Sequence, residues 1–497
     1  MKQKLLIFVL GALVIALTVT AGIAITAWAG GESDTLRVHQ HQTARGPDEG
    51  CDCDGTELCS HLPLVIIETG GQTIPGVPTG ERDRFGEETY TLAEDGREII
   101  DVTVAVIDNQ NRNNHPSDEP DFVTQSQFRV RGHASRHFEK APYLLNFRNE
   151  DGTARDIEVM GMSAHNNWVL NGPYLDKSLV RNYLWYNMAG DLMDYAPNVR
   201  YCELIIDGEY RGLYLMVETI TNGEEGRLNL RETVKDTELT GYLVRLDRPT
   251  EEEVGAVRDI YTYTERMFYL GEDASVRYPG ESMLTPELAE EIERDLSAFE
   301  KALYSYDYDT EDYGYWNWID VESFVDYFLI NELSRNADAG RYSTYLYKEV
   351  DGKLKLCVWD FNNACDNFPD DEMTPSGFAL SERVWFFMLF KNQAFVEQVI
   401  DRYWELREMV FSPEYISEYI DEVLEYLGPA VQRNNERWAE SITEWEPLIP
   451  EERNDHSQTE AVERLKHWLY ERIEWLDKHI EALRQYSHPS RNKAYNH

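Results

Sequence analysis

The hydrophobic pattern changes period partway along the chain, and this change restricts the fold more than any other sequence feature. From Leu62 the apolar residues fall in short β-rich runs: Leu64-Val65-Ile66-Ile67, Thr89-Tyr90-Thr91-Leu92, Val102 to Ile107 and Gln127-Phe128-Arg129-Val130. Gly, Pro and Asp turns separate them, so residues 62–135 read as a small β region. Ala141–Phe147 reads as a further strand, and Asp176 to Met193 as a helix with Leu179, Tyr183, Tyr186 and Gly190 near helical spacing. Tyr201–Ile206 and Tyr210–Val217 flank Asp207-Gly208, a hairpin signal because both turn positions need positive φ. Gly241–Leu246 is another strand. From Thr285 the spacing becomes helical. Thr285 can cap, Pro286 suits the first helical position, and Leu288, Ile292, Leu296, Phe299 and Leu303 share one face. A second helix runs from Asp320 to about Arg335. Residues 342–360 are extended, with Asp351-Gly352 as a second hairpin turn. A last helix over about 459–485 buries Val462, Leu465, Leu469, Ile473, Leu476, Ile480 and Leu483. The expected class is α+β: a β-rich part with one inserted helix over 62–220, then a mainly helical part over 221–497.

The N-terminus reads as a targeting segment. Lys2 and Lys4 precede an uncharged apolar run from Leu5 to Ala29, which ends in the small-x-small site Ala27-Trp28-Ala29. The run is long enough to span a bilayer, so residues 1–29 are a signal peptide or an N-terminal membrane anchor. Either way the rest of the chain lies outside the cytoplasm, secreted or anchored by that segment. No cysteine ends the run, which excludes a lipoprotein anchor. Residues 30–61 are polar and turn-rich, a linker that carries Cys51, Cys53 and Cys59. These thiols and His61 lie within 11 residues, and a zinc site is conceivable, but Cys-x-Cys followed by a five-residue gap is not a standard zinc-knuckle spacing. Outside the cytosol, disulfides or idle thiols are the favoured reading. With 91 acidic against 47 basic residues and a net charge of −44, the chain repels phosphate backbones, so no nucleic-acid partner is expected.

The chemistry-bearing stretch is Asn331 to Asp338, followed by Arg341 to Tyr347 and then Val358-Trp359-Asp360-Phe361-Asn362. Asp338 follows a helix and sits in a loop, and Asp360 ends a hairpin strand. Two carboxylates so placed suit phosphoryl transfer: one orients the attacking hydroxyl, and the other holds a divalent ion on the ATP phosphates. Asp360-Phe361 is similar to the metal-binding Asp-Phe pair of kinases, with Asn362 in the glycine position. The bland alternative is that Asp338 caps a turn and Asp360 merely ends a hairpin.

Across about 62–370 the chain resembles the CotH kinase family, the spore-coat-protein-H-like proteins. The resemblance lies in Arg131-Gly132-His133-Ala134-Ser135, Lys140-Ala141-Pro142-Tyr143, Trp168-Val169-Leu170, Tyr174 to Asn182, Gly208 to Leu215, Asp320 to Leu333, Ser343–Lys348 and Trp359-Asp360-Phe361. It implies an atypical two-lobed protein-kinase-like fold, with a β-rich N-terminal lobe and a mostly helical C-terminal lobe. It further implies ATP with Mg2+ or Mn2+ and transfer to Ser/Thr hydroxyls of a protein substrate. Partners would be cell-envelope or spore-coat proteins, with the membrane touched only through the N-terminal segment. By the resemblance Asp338 is the catalytic Asp, Asp360 and Asn362 hold the metal, and Lys140 contacts the ATP phosphates. Arg181, on the helix that replaces the kinase regulatory helix, faces the cleft, and Glu218 ends the segment that leads to the adenine hinge. Asn362 stands where many relatives carry Asp, and Asp366 can compensate for the lost charge.

Two other classes compete. One is a catalytically inactive kinase-like surface or envelope binding module, supported by the export segment, the acidic surface and the aromatic stretch Tyr304–Trp318. The other, a metal-dependent hydrolase, has no support, since neither His-Glu-x-x-His nor Gly-x-Ser-x-Gly occurs.

Overall fold

The β-rich runs close on themselves. The computed structural model describes residues 37–47, 51–84, 86–223, 226–231, 239–248, 258–268 and 273–490. The expected signal or anchor segment lies outside them, and among the described residues no helix is long and apolar enough to cross a membrane. Seven strands form a barrel: β1 (Leu64–Glu68), β2 (Ile100–Ile107), β3 (Phe122–Val130), β4 (Tyr143–Arg148), β5 (Asn167–Asn171), β6 (Val199–Ile206) and β7 (Glu209–Glu218). Closure depends on β1, which pairs antiparallel with β2 and parallel with β6. Thr89-Tyr90 does not join it; Glu88–Tyr90 pairs with Pro78–Arg82 in a separate hairpin.

Alternation along the strands sends Val65, Val104, Phe128, Leu145, Trp168 and Leu204 into the barrel core. Every residue of β6 is buried, because its other face (Val199, Tyr201) packs against the rest of the molecule. Each fully buried Val or Leu here contributes about 1.5–3 kcal/mol. Asp207 and Gly208 both have positive φ, the turn chemistry expected from the sequence.

Helix α1 (Arg181–Leu192) starts five residues later than the periodicity suggests. Leu179 has positive φ, and the Asp176 carboxylate accepts from the backbone N–H groups of Ser178 and Arg181, so side-chain capping holds a turn where a helix was expected. Beyond the barrel, β8 (Tyr242–Asp247), β9 (Arg258–Ile260), β10 (Asp273–Tyr278), β11 (Thr344–Lys348) and β12 (Lys355–Cys357) form a sheet in the order β9-β10-β8-β11-β12. The β11–β12 hairpin is present, but neither Asp351 nor Gly352 has positive φ; the connection is a longer loop.

The longer helices of this part are α2 (Pro286–Leu303), α3 (Val321–Ser334), α4 (Gln393–Arg407), α5 (Pro413–Leu427), α6 (Pro429–Arg437) and α7 (Gln458–His479). Thr285 and Asp320 cap α2 and α3 by accepting from the N–H groups of Leu288 and Ser323. One hydrophobic cluster joins the outer face of β5–β7 to α1, α3 and α7. The segment expected to be a linker is built into this unit from His39 onward. The Gln40 amide pairs with both backbone groups of Tyr201, and His39 is buried.

Candidate functional site

Helix α3 ends on Arg335, whose left-handed conformation turns the chain sharply toward Asn336-Ala337-Asp338. Asp338 is mostly buried; its Oδ1 accepts from Arg248 at 3.1 Å and its Oδ2 from the Asn363 amide at 3.0 Å. Arg248 also lies flat over the Tyr342 ring, 3.7 Å from its centroid. The two acid-bearing loops are tied together, since the Asn336 side chain donates to the carbonyl of Asp360 at 3.0 Å.

Asp360 sits just beyond β12 at φ 59, a conformation that Asp tolerates better than most residues. Of the eight non-glycine residues with positive φ among those described, five lie between Arg335 and Asp366. Strain of this density marks a segment whose side chains are aimed rather than merely packed. Helix α1 does the aiming. The Tyr186 hydroxyl accepts from the Asp360 N–H at 3.0 Å, and the Asn182 amide oxygen accepts from the Phe361 N–H at 2.8 Å. Arg181 donates to the carbonyls of Ala364 and Cys365. The Phe361 ring packs against Trp185 and Tyr186.

The field at Asp360 favours a cation. Burial, opposed by a hydrogen bond from the Asn362 N–H, and then the charge of Asp338 push its carboxyl up to about 6, with Asp247 adding to the effect and Arg131 reducing it. Arg131 lies over the Trp359 ring, at the start of the loop from β3 to β4. In the same loop His133 is pushed below the usual histidine range, first by burial and then by Arg248. Arg131 and Arg248 thus flank the carboxylates, which are drawn from three separate stretches of chain.

Asn362 lies beside Asp360, with its side-chain oxygen accepting from Asn182 at 2.9 Å, which leaves that oxygen one lone pair. Asp338, Asp360 and Asn362 are therefore brought together. Lys140 is not brought to them. Its amine is buried, lies over Tyr214, donates to Asn434 of α6 at 2.7 Å, and is held well below the usual lysine range by desolvation. Arg181 binds backbone behind the acids instead of facing open space. Glu218 is fully buried, and its Oε2 accepts from the backbone and side chain of Asn198. Asp366 is paired with Arg453 and Arg464 and cannot replace a charge at Asn362. In the aromatic stretch, Tyr306 and Tyr313 are exposed, but Tyr308 and Tyr315 belong to the core.

Sequence reasoning missed Arg131, Arg248 and Asn363 as site residues. Arg131 stood in a noted motif, and Asn363 directly follows one; Arg248 carries no local signal. A cavity of about 270 Å³ lies beyond Gly340 and Arg341, between β8, α2 and Trp385, but neither Asp338 nor Asp360 lines it. Residues 128–476 match the family model described as CotH kinase protein. No curated protein matches the chain.

Proposed function

The chain belongs to the CotH kinase family, and from that premise we propose that it is an exported atypical protein kinase. It transfers the ATP γ-phosphoryl group to Ser/Thr hydroxyls of an extracytoplasmic protein, using Mg2+ or Mn2+, with the barrel and the helical part acting as the two lobes. The observation that carries this reading is the convergence of Asp338 and Asp360 at one place, their loops linked through Asn336 and Asn363.

In this mechanism Asp338 orients the substrate hydroxyl and receives its proton as the oxygen attacks phosphorus. Arg248 and Asn363 fix the Asp338 carboxylate so that a free lone pair meets that proton. The Asp360 carboxylate and the Asn362 amide oxygen are the donors that suit a hard divalent cation. What a bound Mg2+ or Mn2+ supplies is neutralisation of charge on the transferred phosphoryl group. Arg131 and Arg248 supply the positive charge at the phosphates that Lys140, bonded to Asn434, does not.

The position of Lys140 is also what favours a second reading, a kinase-like binding module without transfer activity. Thermal unfolding of the full chain with ATP, with and without Mg2+ or Mn2+, separates the two. The kinase reading expects a rise in Tm that needs both nucleotide and metal and that vanishes in Asp360→Ala, followed by phosphotransfer that Asp338→Ala abolishes. A folded protein with no shift at millimolar nucleotide rejects it.

A further inference from the structure

Three thiols and one imidazole converge far from the carboxylate site in sequence. One ligand atom from each of Cys51, Cys53, Cys59 and His115 lies within 4.8 Å of all the others. Cys51 Sγ is 3.5 Å from His115 Nε2. A tetrahedral zinc with Zn–S of about 2.3 Å sets ligand atoms about 3.8 Å apart, so the cluster needs only slight contraction around an ion. None of the three thiols is in a disulfide. Disulfide pairing could not satisfy all three in any case, because an odd thiol remains.

The residues behind the cluster are those that metal-binding side chains require. His115 Nδ1 faces Asp118 Oδ2 at 3.4 Å, which fixes the tautomer that leaves Nε2 free to bind. Asp118 is itself held by Arg112 and by the backbone N–H of His115. The Asn113 amide donates to Cys59 Sγ at 3.1 Å, and Arg45 donates to the oxygen of the same amide. These hydrogen bonds hold the Cys59 sulfur in place at the cluster, as outer partners of a metal ligand do. The two ligand-bearing stretches are paired directly, since Ser60 and Asn114 exchange both backbone hydrogen bonds. His61, the histidine nearest in sequence, points elsewhere: its Nε2 meets the carbonyl oxygen of Tyr426 at 2.6 Å.

We propose that Cys51, Cys53, Cys59 and His115 form a structural Zn2+ site that fastens the segment before β1 to the connection between β2 and β3. The donor set of three thiolates and one imidazole selects a thiophilic tetrahedral ion, and all four positions are filled by protein, so the site is closed to substrate. Binding displaces the thiol protons to solvent and requires no oxidant.

The test is elemental analysis of the full chain purified without reductant and without chelator, with thiol counting by alkylation under denaturing, non-reducing conditions. The expected result is one zinc per chain, with Cys51, Cys53 and Cys59 all reduced and protected from alkylation in the native protein until a chelator is added. Exchange with Co2+ should give the intense absorption of tetrahedral thiolate-bound cobalt. Cys59→Ser and His115→Ala should lose the metal and lower Tm, whereas His61→Gln keeps it. Should those variants fail to fold, the wild-type stoichiometry and cobalt spectrum still decide. A metal-free protein with a disulfide among the three cysteines overturns the proposal, as does full zinc occupancy in a folded His115→Ala.

Discussion

Two acidic groups near the end of α3 are treated in opposite ways. Glu332 is fully buried, and its carboxylate accepts from Arg472 and from the N–H groups of Ala379 and Leu380. Arg472 is equally closed off, giving its remaining donors to the carbonyls of Glu332, Pro375 and Gly377. Asp360 is the other case: burial and the charge of Asp338 push its carboxyl up, and the hydrogen bond it receives comes from its own turn. Satisfied buried charge holds the fold together, and unsatisfied charge leaves a place for a ligand. The same contrast separates Lys140 and Arg181, both buried and committed to protein acceptors, from Arg131 beside the acids; Arg248 stands between, bonded to Asp338 but partly exposed.

The sharpest break in this comparison is Asp360→Asn. Phosphotransfer should fall about a thousandfold or more, since charge neutralisation at the transferred group is lost. Thermal unfolding at neutral pH should show an equal or higher Tm, because Asn tolerates positive φ and removes repulsion with Asp338. A Tm lowered by many degrees would class Asp360 with Glu332.

Arg472→Met should do the reverse. Leaving Glu332 buried and unpaired costs about 3–5 kcal/mol, read by urea denaturation, and adding Glu332→Gln should recover much of it. An unchanged midpoint would mean that the pair is not a structural clamp.

Arg248→Ala should weaken ATP binding about tenfold while changing stability by less than about 1 kcal/mol, since Arg248 is partly exposed. Titration calorimetry beside denaturant unfolding separates these. Stability loss with unaltered binding would move Arg248 to the structural class.

The smallest effect concerns His41, buried against Tyr183 and Tyr419, with His39 beside it and Glu422 at 3.6 Å. Burial, then the charge of His39, hold its pKa down to about 4. Its unfolded form takes up a proton below about 6.5, so stability is full above that pH and declines until about 4. His41→Gln should flatten the fall in Tm over that window by about 2–4 °C. An identical pH profile in wild type and variant would show that this ring is indifferent to its charge.

Local chemistry made some features readable in advance. The caps at Thr285 and Asp320 and the turn at Asp207-Gly208 form as their side chains and backbone freedom require. The loop-and-hairpin spacing of Asp338 and Asp360 also survives folding. Barrel closure was not readable, because β1 pairs with β6, a strand distant along the chain, and no local pattern encodes that pairing. Lys140 was misjudged for a related reason. It precedes its strand as a phosphate lysine would, but Asn434, far along the chain, takes up its amine. Among the histidines near the three thiols, sequence proximity favoured His61, whereas the Ser60–Asn114 pairing brings His115.

The sequence by itself determined the α+β class, the order of β-rich and helical parts, and which two carboxylates stand at loop and strand end. These follow from periodicity and capping, which act over a few residues. Only the tertiary structure decided which charges remain open to a ligand. That depends on whether each group finds a partner across the fold, and a buried charge with its hydrogen bonds filled has nothing left to offer a substrate.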